Sequence, residues 1–148
     1  MRVQDVMTRE IECVHPDSTI AEAASKMKQR DIGPLPVCSD GWVVGMLTDR
    51  DITIRSTAKG QDPNSTRVRD VMTPEVVACG EDQLVSDAAR LMEERQVRRL
   101  LVLNRNKQLV GIVSLGDLAI QTGDQQFAGE ILEQVTEPAP PALGVGVN

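Results

Sequence analysis

Apolar residues in the segment IAEAASKM recur at three- and four-residue intervals, which is the spacing of one face of a helix. Thr19 and Glu22 have the spacing of a capping box at the beginning of this segment. Gly33 and Pro34 follow it, and both residues disfavour the continuation of a helix. The pattern therefore predicts an amphipathic helix over residues 19–30, ended by Gly33 and Pro34.

Two short apolar segments flank the pair Asp40-Gly41, which is favoured in two-residue β-turns. We therefore predict a β-hairpin with antiparallel strands over residues 35–39 and 42–47. A further strand near residues 11–14 would precede the helix. A strand, a helix and a returning strand form a crossover, so the strands near 11–14 and 35–39 are expected to be parallel neighbours.

The whole pattern occurs twice along the chain. VQDVMT at 3–8 returns as VRDVMT at 68–73, an offset of 65 residues. GMLTDRDI at 45–52 returns as GIVSLGDL at 111–118, an offset of 66 residues. Turns absorb single insertions easily, so the change of offset is expected in the hairpin turn. Two copies of one unit therefore fill most of residues 3–120.

A unit of roughly 60 residues is marginally stable alone, so the two copies are expected to pack together. The prediction is an α+β fold of two β-α-β-β-α units, each with a three-stranded sheet, related by pseudo-two-fold symmetry. We predict a first unit over residues 1–60, a linker over 61–66 and a second unit over 67–122. Residues 123–148 are expected to contain a helix to about Val135 and then a disordered Pro- and Gly-rich tail.

The end of the hairpin carries a repeated polar pair. Thr48 and Asp51 lie three positions apart at a predicted helix start, and Ser114 and Asp117 repeat them. A carboxylate can accept hydrogen bonds from the hydroxyls of a ligand, while a hydroxyl at a helix N-terminus suits a bound anion. The same spacing is also that of a helix cap, which only satisfies free N–H groups. The ligand-binding and capping interpretations are compatible, and the residues alone do not decide between them.

Composition narrows the class of protein. The 148 residues are 41% hydrophobic and 26% charged, which is typical of a globular domain, and the net charge of −6 disfavours nucleic-acid binding. No apolar run approaches the roughly 18 residues of a membrane span, so we expect no membrane partner. The charged start MRVQDVMTREIE is unlike a secretory signal. Together with only three cysteines, these features predict a cytoplasmic protein.

Catalytic chemistry is not indicated. His15 is the single histidine, so one chain cannot build a His-rich metal site, and the sequence indicates no nucleophile and base that can be paired. Four residues could in principle be zinc ligands: Cys13, His15, Cys38 and Cys79. The spacings between them differ from those of familiar zinc modules. We therefore predict no enzyme, no catalytic residue and no metal site.

Cys13 and Cys38 fall on the two strands expected to be parallel neighbours. Their counterparts in the second copy are Ala78 and Leu103, so the pair belongs to the first copy only. Adjacent strands lie about 4.8 Å apart, within the roughly 4.4–6.8 Å between the α-carbons of a disulfide. A redox-labile bond and two free thiols both remain open, and a reducing compartment favours the thiols.

Several of these motifs together resemble a known family. The tandem DVMT openings, the xAxxxM helices, the strands IGPLPVC and VRRLLVL and the endings GMLTDRD and GIVSLGD are similar to a pair of cystathionine-beta-synthase (CBS) domains, a Bateman module. Small bacterial CBS-pair proteins, some of the hypoxic or stress-response type, look most similar. The resemblance implies a regulatory module that binds AMP, ADP, ATP or NAD in clefts between two domains. It also implies a homodimer that assembles through helical faces, to which the apolar stripe of the 19–30 helix would contribute.

The resemblance also implies which residues complete each cleft, because the Thr/Asp motif of one domain meets the second strand of the other. The Thr48 and Asp51 motif, with Arg50 inside it, would be completed by Val97, Arg98 and Arg99. The Ser114 and Asp117 motif, with Gly116 where Arg50 stood, would be completed by Ile32, Gly33 and Pro34. The first cleft is then expected to favour phosphates, and the second to offer backbone and apolar contacts for adenosine.

An alternative to nucleotide sensing is that the protein is a redox-responsive or structural homodimer whose nucleotide clefts are vestigial. The residues alone do not choose the physiological ligand, do not decide whether both clefts are occupied and do not identify a downstream protein.

Overall fold

The structure, a computed structural model, describes residues 1–122. It is an α+β fold in which both repeats contain the order helix, strand, strand, helix, and the second repeat has one more strand before this order. The helices and strands are α1 (Ile20–Arg30), β1 (Leu35–Ser39), β2 (Trp42–Leu47), α2 (Asp49–Arg55), α3 (Val68–Val71), β3 (Ala78–Gly80), α4 (Val85–Arg95), β4 (Arg99–Leu103), β5 (Leu109–Ser114) and α5 (Leu115–Thr122). Short 3-10 turns occur at Val3–Asp5 and Thr57–Lys59.

The predicted hairpin of the first repeat is confirmed with the predicted bounds. β1 and β2 pair in antiparallel orientation. Asp40 and Gly41 join them with φ angles of 53° and 83°. Positive φ at both positions is what a two-residue turn between twisted strands requires, and aspartate and glycine adopt it at low cost. β4 and β5 form the corresponding antiparallel pair in the second repeat.

The helix predicted over residues 19–30 is confirmed, but the residues that end it are different. The Thr19 hydroxyl accepts a hydrogen bond from the Glu22 N–H at 3.2 Å and caps the start of α1. Asp31 adopts the left-handed conformation with φ 52° and ends the helix two residues before Gly33. Gln96 does the same after α4 with φ 54°. Polar residues tolerate this conformation, so the glycine is not needed as a stop signal.

The three-stranded sheet predicted for each repeat forms only in the second, where β3 pairs in parallel with β4 and β4 pairs with β5. In the first repeat the expected strand near 11–14 is reduced to one parallel bridge between Val14 and Val37. The prediction of a complete sheet in both repeats is therefore wrong for the first repeat, although the parallel neighbours were placed correctly.

Two prolines explain the missing strand. In the second repeat the N–H groups of Leu101 and Glu81 donate to Val77 and Leu103, at 3.2 and 3.0 Å. At an offset of 65, the residues corresponding to these two donors are Pro36 and Pro16, which have no N–H group. Only two ladder bonds remain in the first repeat. They run from the Val14 N–H to the Pro36 carbonyl, at 3.0 Å, and from the Cys38 N–H to the Val14 carbonyl, at 2.8 Å.

The described residues pack into two hydrophobic cores, and each repeat contributes its DVMT segment to the core of the other. Val3 and Val6, from the start of the chain, lie in the core built mainly from α4, β4, β5 and α5. Val68 and Val71, from α3, lie in the core built from α1, β1 and β2. The unit boundaries near residues 60 and 67 stay a prediction, but the two units are interlocked by this exchange.

Backbone hydrogen bonds hold the exchanged segments in equivalent positions. The Val3 N–H donates to the Gln83 carbonyl at 2.9 Å, and the Val68 N–H donates to the Ser18 carbonyl at 2.8 Å. The two pairs are related by the 65-residue offset. Trp42 pairs with Gln108 in an antiparallel bridge. Gln108 is the residue of the second repeat that corresponds to Trp42, at an offset of 66. Because the two corresponding residues pair with each other, this bridge marks the pseudo-two-fold axis.

Two glycines make room for the exchanged segments. Thr73 is hydrogen-bonded to Met46 in both directions at 2.8 Å, so its backbone crosses beside Gly45. A Cβ atom on Gly45 would lie 2.7 Å from the Thr73 carbonyl oxygen. A Cβ atom on Gly111 would lie 2.6 Å from the Met7 sulfur and 3.0 Å from the Thr8 carbonyl oxygen. Gly45 and Gly111, the first residues of the two repeated endings, are therefore needed so that the exchanged segments can pack beside them.

The helix predicted to run to about Val135, and the tail after it, lie outside the described residues. Within residues 1–122 no helix combines the length and the apolar character needed to cross a membrane.

Replacement of Gly45 by alanine is expected to destabilise the fold by about 1–3 kcal/mol, the usual cost of overpacking, because backbone atoms of Thr73 occupy the place of the new methyl group. Urea unfolding at equilibrium measures the effect. Gly116→Ala is the matched control, since its Cβ would meet only the Ser114 hydroxyl oxygen, at 3.6 Å. Equal stability of both variants would contradict the packing role of Gly45.

Candidate functional site

Both hydroxyl and carboxylate pairs form reciprocal helix caps. The Thr48 hydroxyl accepts from the Asp51 N–H at 3.0 Å, and Oδ2 of Asp51 accepts from the Thr48 N–H at 3.0 Å. The Ser114 hydroxyl accepts from the Asp117 N–H at 3.0 Å, and Oδ2 of Asp117 accepts from the Ser114 N–H at 2.9 Å. The capping interpretation is therefore confirmed. Each cap uses one carboxylate oxygen and leaves the hydroxyl hydrogen available for a further bond.

The second carboxylate oxygen differs between the two pairs. Oδ1 of Asp51 lies 3.8 Å from Nε of Arg55, one helical turn later. The guanidinium of Arg55 also donates to the Met72 carbonyl at 3.2 Å. At an offset of 66 the chain has Gln121 instead of an arginine, and no ion pair among the described side chains involves Asp117. The Asp51 carboxylate is thus shared with a cation, whereas among the described side chains the Asp117 carboxylate is not.

Thr48 lies on a cavity of about 490 Å³ between the two repeats, here called the Thr48 cleft. As predicted, the structure brings Thr48 together with the beginning of β4 in the other repeat. The lining residues are Pro34, Met46, Thr48, Glu75, Val77, Gln96, Val97, Arg98, Arg99, Leu101 and Ile112. Asp51 and Arg50 are not among them. Arg50 is exposed, so the positive charge expected from it inside the motif is directed to solvent.

Ser114 and Asp117 line a second cavity of about 650 Å³, here called the Ser114 cleft. Its lining residues are Thr8, Glu10, Ile11, Glu12, Arg30, Ile32, Pro34, Pro36, Arg99, Ile112, Ser114 and Asp117. Ile32 and Pro34 therefore complete this cleft as predicted, but Gly33 does not line it. The carboxylate of Asp49 packs against Gly33 instead, with Oδ1 3.0 Å from the position of a Cβ atom.

The charges of the Ser114 cleft correct one expectation. We expected backbone and apolar contacts from Ile32, Gly33 and Pro34 to complete it, and four charged residues line it as well: Arg30, Arg99, Glu10 and Glu12. Glu12 forms ion pairs with Arg30 at 3.2 Å and with Lys26 at 3.4 Å. Arg99 lines both clefts, whereas Arg98 lines only the Thr48 cleft.

The acidic residues of the clefts were not predicted, although the repeat contains a signal for them. Glu10 and Glu75 follow the two DVMT segments at the same offset of 65 and line the Ser114 and Thr48 clefts respectively. The counterpart of Glu12 is Val77, so the second acidic residue belongs to the Ser114 cleft only. The Thr48 cleft is therefore the more cationic of the two.

The cysteines fall into two groups. Cys13 and Cys38 are free thiols with their sulfur atoms 3.4 Å apart, so the predicted proximity of this pair is confirmed. Cys79 is buried in the core of the second repeat, and this burial raises the pKa of its thiol to about 11. The four residues weighed as a zinc set are therefore not gathered at one place. Within residues 1–122 no group of three potential metal ligands is present.

A hydrogen bond joins the two half-buried thiols. The Cys38 thiol donates to the Cys13 sulfur, and this bond is the main cause that lowers the pKa of Cys13 to about 7. The nearby Lys26 ammonium lowers the pKa of Cys13 further, whereas burial and the Glu12 carboxylate oppose the change. The same hydrogen bond, together with burial, raises the pKa of Cys38. Cys13 is therefore the thiol that ionises first.

Comparisons with known proteins agree with this architecture. The family model of the CBS domain matches residues 3–56 and again residues 68–121. The CBS domain-containing protein YhcV of Bacillus subtilis is 45% identical over 134 residues, which cover 90% of this chain and 94% of YhcV. Hypoxic response protein 1 of Mycobacterium tuberculosis is 38% identical over 117 residues, which cover 78% of this chain and 81% of that protein.

Solved structures show the same fold. The crystal structure of Hypoxic Response Protein I with two coordinated zinc ions is 36% identical and superposes with a TM-score of 0.73, covering 82% of this chain and 98% of that one. The crystal structure of CBSX2 in complex with AMP is 27% identical with a TM-score of 0.71, covering 84% of this chain and 98% of that one.

Proposed function

The chain belongs to the CBS-domain family, as a tandem pair of such domains, and we propose that it is a regulatory module that binds adenosine-containing nucleotides in the Thr48 and Ser114 clefts. The observation that carries the proposal is the composition of each cleft, where the capped hydroxyl of one repeat, joined in the Ser114 cleft by the carboxylate of Asp117, lies beside residues of the β1 or β4 strand of the other repeat. The complex of CBSX2 with AMP supports an adenosine ligand. AMP, ADP, ATP and NAD are the candidates.

The polar groups of each motif suit a nucleoside phosphate. We propose that Asp51 and Asp117 accept hydrogen bonds from ribose hydroxyls through the oxygens that the caps leave available. The hydroxyls of Thr48 and Ser114 can then donate their hydrogens to phosphate oxygens. Asp51 lies outside the lining of its cavity, so its role requires the ribose to extend from the Thr48 cleft towards α2.

A regulatory role follows from the position of the clefts between the repeats. A ligand that contacts both repeats stabilises the arrangement in which both sets of residues reach it, and the population of that arrangement then depends on ligand concentration. We propose that a downstream protein, which the chain itself does not identify, responds to this arrangement in the cytoplasm. Binding without catalysis is proposed, because no paired nucleophile and base stands beside either motif among the described residues.

We also propose a homodimer, but on different grounds from the expected one. The apolar stripe of α1 was expected to be offered to a second copy, and that expectation is wrong because Ile20, Ala23 and Met27 are buried in the chain's own core. Ile54 on α2 is 47% exposed, and none of the residues of α2 is buried. A symmetric pairing of two copies would cover this side chain, and such pairs are the commonest oligomers.

Loss of a motif carboxylate is expected to weaken its own site by about 1.5–3 kcal/mol, roughly tenfold to a hundredfold in Kd, because hydrogen bonds to a charged acceptor are lost. Isothermal titration with AMP and ATP on Asp51→Ala and Asp117→Ala variants measures the change. Since both residues also cap helices, Asp117→Asn is the matched control: it keeps a cap acceptor while removing the charge. Unchanged affinity in the double alanine variant would defeat the assignment, and absence of binding to the unmodified chain would favour vestigial clefts.

The unequal charge of the clefts predicts unequal preferences for phosphate. Arg98→Ala should weaken ATP binding at the Thr48 cleft alone, by roughly fivefold at low salt, as expected for an exposed pair worth about 1 kcal/mol. Arg99→Ala is the matched variant and should affect both clefts, because Arg99 lines both. AMP should be affected less than ATP in each case, and the differences should shrink as salt rises. Two clefts with equal responses to Arg98→Ala would contradict the proposed asymmetry.

Light scattering at micromolar concentration should give twice the chain mass. Ile54→Glu should shift the mass towards that of one chain, since a buried unpaired charge in the interface is costly. Thr53→Glu, on the adjacent exposed position of α2, controls for added charge. A single-chain mass for the unmodified protein would rule out the dimer.

A further inference from the structure

The thiols of Cys13 and Cys38 form a pair that neither cleft uses. Their sulfur atoms lie 3.4 Å apart across the single bridge that joins residues 11–14 to β1, and both thiols are only partly buried. An approach of the sulfurs to the about 2.05 Å of a disulfide is a small movement. We propose that this pair is a modification site at which a peroxide oxidises the two thiols to an intramolecular disulfide.

The surroundings distinguish the roles of the two sulfurs. Cys13 accepts the hydrogen bond from Cys38 and has a pKa of about 7, so a large fraction is thiolate at neutral pH. The ammonium of Lys26 is held beside it, because Nζ donates to the Cys13 carbonyl at 2.6 Å. Cys38 keeps its proton in the same conditions because its pKa is raised. Cys13 is therefore the nucleophile, and Cys38 is the thiol that resolves the oxidised product.

The reaction proceeds in two balanced steps. The Cys13 thiolate attacks one oxygen of hydrogen peroxide, an S–O bond forms, the O–O bond breaks and hydroxide leaves, which gives a sulfenic acid. The sulfur of Cys38 then attacks the Cys13 sulfur, the S–O bond breaks, and the hydroxyl group leaves as water with the thiol proton. The two sulfurs lose two electrons in total, and the peroxide accepts them.

The consequence for the fold is specific to the first repeat. Residues 11–14 are held to β1 by only two backbone hydrogen bonds, because Pro16 and Pro36 remove the others. A covalent bond between Cys13 and Cys38 would add a third connection to this weakly paired segment. Ile11, Glu12 and Pro36 line the Ser114 cleft, so the bond would fix one wall of that cavity. An effect on ligands rests on the proposed nucleotide function, whereas the disulfide itself does not.

Peptide mapping after treatment with hydrogen peroxide tests the site without any nucleotide. We expect a crosslinked pair of peptides containing Cys13 and Cys38 that has lost the mass of two hydrogens and is restored by a reductant. The buried Cys79 is the internal control and should stay unmodified. In Cys38→Ala, a dimedone adduct should form on Cys13. In Cys13→Ala, the adduct on Cys38 should appear more slowly than the adduct on Cys13 in Cys38→Ala, because burial still raises the pKa of Cys38 whereas the Lys26 ammonium still lowers the pKa of Cys13.

Amide hydrogen exchange tests the mechanical consequence. The N–H groups of Val14 and Cys38 should exchange at least threefold more slowly in the oxidised protein, while those of their counterparts Cys79 and Leu103 should not change. No crosslink under conditions that oxidise Cys13, or a crosslink between two chains in place of the intramolecular one, would overturn the proposal. Failure of nucleotide binding would leave both measurements intact, so the two proposals are tested separately.

Discussion

The exchange of the two DVMT segments is the constraint on which the rest of the structure depends. Each segment packs its valines into the core of the other repeat and binds the backbone beside the glycine of the repeated ending. Neither core is complete without residues from the opposite half of the chain. The clefts between the repeats are therefore bounded by two units held in a defined relation, and Thr8 reaches the Ser114 cleft because its segment crosses from one repeat to the other.

The pseudo-symmetry that this exchange creates is broken by a few substitutions with clear physical effects. Pro16 and Pro36 remove N–H donors, so the first repeat has one parallel bridge where the second has a full strand. Glu12 replaces Val77 and adds an anion to one cleft, and Pro34 stands where the other repeat has Arg99. The Cys13 and Cys38 pair also belongs to the less paired half. The differences in charge, pairing and thiol chemistry thus concentrate around the Ser114 cleft.

Local chemistry was sufficient to predict the hairpins, α1 and the hydroxyl and carboxylate caps, because each depends on residues close together in the chain. The meeting of each motif with the opposite repeat was implied by the family resemblance, and the structure places Thr48 on one cavity with Val97 and Arg98 and Ser114 on another with Ile32. The exchange of the DVMT segments was not predicted, since apolar spacing shows that a valine is buried and not in which core. The incomplete sheet could have been predicted, because Pro16 and Pro36 are visible in the sequence and lack the donors that a ladder needs.

The confirmed caps do not compete with the proposed ligand contacts, and they make those contacts more favourable. A reciprocal cap holds the serine or threonine and the aspartate in fixed rotamers, so little side-chain freedom is left to lose when a ligand binds. The caps also reduce the number of acceptors that a ligand can use, because one oxygen of each carboxylate already accepts a hydrogen bond from a backbone N–H. At Asp51 the remaining oxygen also faces Arg55, while Asp117 has no such neighbour among the described side chains. A ribose at Asp117 would therefore meet a carboxylate oxygen that no cation shares, whereas at Asp51 the ion pair weakened by the ligand would offset part of the hydrogen-bond energy.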